Sequence, residues 1–137
     1  MQHILFGRSG LRVSELCLGT MLFGDTKSGR PASDPAESRT IFDAFAEAGG
    51  TFIDTAEGYA FHEAEKLVGE FIRTDRDHFV LATKYSNGRN GITKSGNSRK
   101  NMMRAVESSL KRMGIEHIDL YYLHIWDYTT RSEEPHV

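Results

Sequence analysis

Four side chains in this 137-residue sequence, Asp54, Tyr59, Lys84 and His124, are of the types that proton-transfer chemistry uses. Each has an ordinary reading when taken alone. Asp54, just before Thr55, reads as a turn or cap residue, and Tyr59 beside Gly58 as a half-buried loop aromatic. His124 follows a largely apolar run and reads as a hydrogen-bonded core histidine. Lys84 fits less easily, because lysine rarely closes an apolar run such as Val80-Leu81-Ala82. A lysine placed there needs a counter-charge, which Asp54 can provide from a neighbouring strand. An ammonium about 4 Å from a phenol favours the ionised phenol by roughly 4 kcal/mol at an effective dielectric near 20. Such a pairing turns a tyrosine into a usable proton donor. An imidazole beside the same point can hydrogen-bond the oxygen that receives the proton.

The elements that must bring these groups together are legible as a repeating pattern. Strands at His3–Phe6 and Leu11–Val13 flank Gly7-Arg8-Ser9-Gly10, a hairpin turn. Glu15–Gly19 is a short apolar strand, followed by a polar loop from Gly24 to Ser33. Asp34, Pro35 and Glu37 supply an N-cap, a first-turn proline and a capping-box acid. Ile41, Phe42, Phe45 and Ala48 then recur at helical spacing until Gly49-Gly50. The plan repeats with a strand at Thr51–Asp54 and a helix marked by Ala64, Leu67, Val68, Phe71 and Ile72. A third strand, Phe79–Lys84, precedes a helix marked by Met102, Val106, Leu110 and Met113, which Gly114 ends. A fourth strand runs over Ile118–Leu123. Strict alternation of strands and helices predicts a parallel sheet. Asp54, Lys84 and His124 lie at or just past the ends of different strands, which favours a barrel over an open sheet with a single switch point.

Composition excludes several classes. The formal charge of −2 carries no basic excess for phosphate neutralisation, which argues against a nucleic-acid partner. No apolar run approaches the roughly 20 residues of a membrane span. The first residues have no charged segment followed by a long apolar one, so no secretory signal is expected. Cys17 is alone, which suits a reducing cytoplasm, and its setting between Leu16 and Leu18 predicts a buried core role. Glu57 and Glu63 read as solvated carboxylates in a loop and at a helix start rather than a glycosidase pair. His3, His62, His78 and His117 lack metal-ligand spacing, and no metal site is expected. The glycine- and base-rich stretch from Arg89 to Lys100 is not a phosphate-loop motif and reads as a mobile loop. Trp126 fits equally a pocket wall and plain packing.

Leu18-Gly19-Thr20-Met21, Phe52-Ile53-Asp54-Thr55-Ala56-Glu57-Gly58-Tyr59, Glu65-Lys66-Leu67-Val68-Gly69, Ala82-Thr83-Lys84 and Asp119-Leu120-Tyr121-Tyr122-Leu123-His124 occur in the order of the aldo/keto reductase pattern. Over essentially residues 1–127 the sequence resembles that family, in particular the bacterial NADPH-dependent reductases related to potassium-channel β-subunits. The resemblance implies an α/β fold of the (β/α)₈ TIM-barrel type, carrying about the first four βα units and an N-terminal hairpin that closes the barrel floor. It implies one partial barrel domain over 1–137, with the hairpin at 1–13, four strands and three helices at 14–124, and a polar tail at 125–137. It also implies a catalytic tetrad of Asp54, Tyr59, Lys84 and His124, with Gly19, Thr20, Met21 and Asp54 along the nicotinamide end of NADPH. The expected reaction is reduction of a small aldehyde or ketone to an alcohol, because a side chain cannot supply hydride.

The family grips the cofactor's adenosine mainly through loops after strands seven and eight, so weak or no activity is expected of these residues alone. A complete barrel takes roughly 250 residues. Four strands leave two unpaired edges, through which copies would associate into a homo-oligomer. The alternative is a non-catalytic, β-subunit-like regulatory or interaction module on the same fold. A complete tetrad weighs against it.

Overall fold

The computed structural model describes residues 1–24, 29, 32–87, 91, 94–131 and 133–134. Strands β1 (His3–Leu5) and β2 (Arg12–Ser14) form an antiparallel hairpin. The remaining strands are β3 (Cys17–Gly19), β4 (Phe52–Asp54), β5 (Val80–Tyr85) and β6 (Leu120–Leu123). Helices α1 (Pro35–Glu47), α2 (Glu63–Ile72) and α3 (Arg99–Met113) separate them. The four strands pair in parallel in the order β3-β4-β5-β6. Consecutive strands are always neighbours, so the sheet has no switch point and grows as a barrel wall does.

Local chemistry accounts for the helix boundaries. The Asp34 carboxylate accepts from the Glu37 N–H at 2.8 Å, with Pro35 in the first turn. Ser98 caps α3 by accepting from the Asn101 N–H, and at its far end Gly114 takes a left-handed φ of 67° while donating to Leu110 O. The apolar positions Ile53 and Leu81 point to the helix side, where they join Phe42, Val68, Phe71, Ile72 and Met113 in one core. The hairpin is fastened below the sheet. The Ser14 hydroxyl accepts from the N–H groups of Thr51 and Phe52, and Phe6 packs edge-on to Phe52 with centroids 5.7 Å apart.

Two further ties hold the layers. Glu65 on α2 is fully buried, yet its carboxylate accepts from the Thr83 hydroxyl of β5 at 2.7 Å and pairs with Arg112 of α3. Beneath the sheet, Asp119 accepts both from Arg76 at 2.6 Å and from the Leu81 N–H at 2.8 Å. Gly69 explains why α2 carries no side chain at that position. A Cβ there would lie 2.6 Å from the Met113 Cα and closer still to its carbonyl oxygen.

Observed strand ends differ from the sequence reading by a residue or two at most sites, as hydrogen-bond pairing rather than apolarity defines them. Past β6, residues 125–131 and 133–134 contain no α-helix. Instead the Asp127 carboxylate accepts from the backbone of Thr129 and Thr130 and from Asn97 N–H, folding the chain back onto the segment before α3. Much of the stretch Arg89–Lys100 and part of the loop Gly24–Ser33 lie outside the described residues. Among the described residues, no helix is long and apolar enough to cross a membrane.

The helix contact at Gly69 yields a test. Gly69→Ala should destabilise the chain by about 1–3 kcal/mol, as overpacking against rigid backbone does, while Gly29→Ala, where a Cβ has open space but φ is +70°, should cost about 1–2 kcal/mol through its left-handed backbone alone. Urea denaturation of both variants measures the difference.

Candidate active site

Strand register sets the site. Gly19, Asp54 and Ala82 are partners across β3, β4 and β5, and Lys84 lies one pleat further along the same face. Lys84 is in register with Tyr122, and His124 follows two residues later, its N–H donating to Tyr85 O at 2.9 Å. Asp54, Lys84 and His124 therefore share the sheet face opposite the helices. That face lines a cavity of about 590 Å³ together with Cys17, Gly19, Phe52 and Tyr122.

Tyr59 arrives by a different route. Beyond Asp54 the chain continues along β5, with Thr55 N–H donating to Ala82 O at 2.9 Å and Glu57 N–H to Lys84 O at 3.1 Å. A turn closed by Tyr59 N–H on Ala56 O then swings the phenol back over the strand ends. Ala60, Phe61 and His62 follow with φ of 48°, 55° and 77°. Such left-handed geometry costs L-residues roughly 1–2 kcal/mol each. It is held by the His62 imidazole, whose Nδ1 pairs with the Glu57 carbonyl oxygen.

The Lys84 ammonium is the hub. It donates to Asp54 Oδ2 at 2.5 Å, to Thr55 O at 2.8 Å and to the Tyr59 phenolic oxygen at 3.2 Å. An ammonium has three protons, so its donors are all engaged. Because the phenolic oxygen accepts from Lys84, the hydrogen of Tyr59 itself is free to point elsewhere. The His124 ring meets the Tyr59 ring edge-on, with centroids 5.6 Å apart. Its Nδ1 is buried without a hydrogen-bond partner among the described residues. Burial first, and then the Lys84 charge, lower the His124 pKa below its ordinary value, against a smaller opposing effect of Asp54. The imidazole is therefore neutral at neutral pH.

A model of the aldo/keto reductase family matches residues 15–135. The chain belongs to the aldo/keto reductase family. It is 43% identical to norsolorinic acid reductase of Aspergillus flavus over 96% of its own length and 37% of that protein. It is equally 43% identical to norsolorinic acid reductase B of Dothistroma septosporum, over 92% of the chain and 35% of the relative. An aryl-alcohol dehydrogenase [NADP(+)] of Phanerodontia chrysosporium is 40% identical over 91% of the chain and 36% of that protein. The chain thus spans a little over a third of the length of these relatives.

The remaining residues singled out in this aldo/keto reductase sequence fall as follows. Gly19 lies on the wall between the first cavity and a second of about 670 Å³, and a Cβ on it would meet nothing within 4 Å. Met21 is exposed on the second cavity. Thr20 is fully buried, with both its N–H and its hydroxyl donating to Asp54 O at 3.0 Å, so it braces the strand carrying the aspartate. Trp126 is half-buried.

Two expectations are corrected. Cys17 is exposed rather than buried, because it projects from an edge strand onto the open cavity face. Its thiol is nonetheless pushed up to about 11, chiefly by desolvation and then by Asp54. Glu57 is not solvated but 2% exposed, paired with Arg104 of α3 at 3.3 Å. Neither Arg104 nor Thr55 was legible as part of the site: Arg104 arrives from a distant helix, and Thr55 contributes only its carbonyl.

The lowered His124 pKa fixes a sign. Near its ordinary value of 6.5 the unfolded chain takes up a proton that the folded chain refuses, so stability falls as pH drops through that value. Urea unfolding at pH 7.5 and 5.5 should show this loss in the parent chain and a smaller loss in His124→Gln.

Proposed function

We propose that the protein to which these residues belong reduces an aldehyde or ketone to an alcohol with NADPH, and that Asp54, Tyr59, Lys84 and His124 are its acid–base machinery. The observation that carries this reading is the Lys84 ammonium bridging Asp54 at 2.5 Å and Tyr59 at 3.2 Å on the wall of an open cavity. NADPH, when bound, supplies the hydride to the carbonyl carbon. The residues present suit its nicotinamide end. Gly19 leaves a side-chain-free patch of cavity wall beside Asp54 on which a flat ring can lie, and the exposed Met21 flanks it.

In this reading Tyr59 donates its free O–H to the carbonyl oxygen as negative charge gathers there. Lys84 stabilises the phenolate left behind, and Asp54 holds Lys84 in place and offsets its charge. Neutral His124 hydrogen-bonds the same oxygen and orients it toward Tyr59. Phe52 and Tyr122 give the cavity an aromatic lining. Together with the name of the aryl-alcohol dehydrogenase, this lining supports an aromatic carbonyl compound as substrate.

Tyr59→Phe keeps the ring and removes the proton, so turnover of the complete protein should fall by roughly 10²- to 10⁴-fold with NADPH affinity little changed. Lys84→Met should lower turnover comparably, and the double variant should be little worse than either single, because the two act as one unit. Near-normal turnover by a folded Tyr59→Phe protein would show that this phenol is not the acid.

A further inference from the structure

The four proposed catalytic side chains do not by themselves explain how Tyr59 stays over Lys84. Its segment follows β5 as far as Glu57 and then runs through three consecutive left-handed residues, a conformation that persists only where surrounding contacts over-determine it. Glu57 is where those contacts converge. Its N–H donates to the carbonyl of Lys84 itself at 3.1 Å, and its carbonyl pairs with His62 Nδ1 at the end of the left-handed turn. Its carboxylate is taken out of solvent and accepts from Arg104, which donates as well to Asn101 Oδ1 at 2.9 Å. Asn101 is buried at the start of α3 and donates to Gly96 O at 2.8 Å. One residue thus ties the lysine strand, the tyrosine turn and the third helix together.

The second Glu57 oxygen, Oε2, is buried without a partner among the described residues. Leaving such an acceptor unsatisfied is costly, a cost that packing alone would avoid with an apolar residue of similar size. We propose that the Glu57–Arg104 pair is a positioning device that holds Tyr59 within reach of the Lys84 ammonium. This rests on the reading of Tyr59 as proton donor. Glu57 itself faces the helix layer and transfers no proton.

The test uses Glu57→Ala and Arg104→Met, which remove either side of the pair, and Glu57→Gln, which keeps an acceptor oxygen. In this chain, NMR cross-relaxation between the Tyr59 ring and the Lys84 ε-methylene reports their proximity directly, the ammonium lying 4.9 Å from the ring centroid. The signal should be lost in Glu57→Ala and Arg104→Met and kept in Glu57→Gln. In the complete protein kcat should drop by roughly 10- to 100-fold in the first two, as small misplacements of reacting groups do. KM and NADPH affinity should hold within about twofold. If Glu57→Ala does not fold, Arg104→Met against the parent chain decides. An unchanged Tyr59–Lys84 signal in folded Glu57→Ala or Arg104→Met overturns the proposal, whatever the activity. Normal turnover in Tyr59→Phe instead overturns the functional reading and leaves the geometric result standing.

Discussion

The site depends on satisfying one partly buried ammonium. Lys84 lies next to the end of a strand whose other residues are almost wholly buried, and its side chain retains only 15% of its exposure. A cation so placed is tolerable only if its protons find acceptors and its charge a counter-charge. Asp54, Thr55 O and Tyr59 provide all of this at once. Parallel register makes the arrangement possible, because it sets Asp54 one pleat below Lys84 on the adjacent strand. The constraint also shapes what lies around it. Thr20 braces the Asp54 backbone, and the chain must turn at Ala56–Tyr59 to return a phenol to the lysine.

Behind the sheet a second polar layer mirrors the first. Glu65 and Glu57 are both buried carboxylates on the helix side, each answered by an arginine of α3. Tyr121 lies in the same layer, stacked on Tyr85 with centroids 5.3 Å apart, and its phenol is pushed up chiefly by burial and then by the charges of Glu57 and Glu65. Tyr59 and Tyr121 thus sit on opposite sides of the sheet, and only Tyr59 has an ammonium against it. The division follows from the strand alternation, which sends Lys84 to one face and Thr83 and Tyr121 to the other.

The fold was legible because its signals are local. Asp34 with Glu37, the periodicity of Val68, Phe71 and Ile72, and Gly114 each act within one helix or its ends, where sequence distance and spatial distance agree. Asp54, Lys84 and His124 were legible for a related reason: a polar residue at the end of an apolar strand is conspicuous in one dimension. Glu57 was misjudged because its partner Arg104 is 47 residues away, and an isolated glutamate in a loop gives no sign of being enclosed. Cys17 was misjudged in the opposite sense, since apolar neighbours imply burial only when both faces of a strand are covered. The left-handed run at Ala60–His62 had little signal, for of the three residues only His62 is of a type that adopts that geometry more often than most.

The close approach at Gly69 has a consequence in time as well as in space. Where the backbone of α2 touches that of α3, neither helix can slide or fray without carrying the other, and the Glu65–Arg112 pair fastens them a turn away. Contacts of this kind predict that the two helices open together, on the slow scale of sub-global unfolding rather than on the nanosecond scale of loops. The tyrosine turn runs directly into the first residue of α2 and is tied by Glu57 to α3. Although it looks like a surface loop, it is expected to share the lifetime of the helix pair.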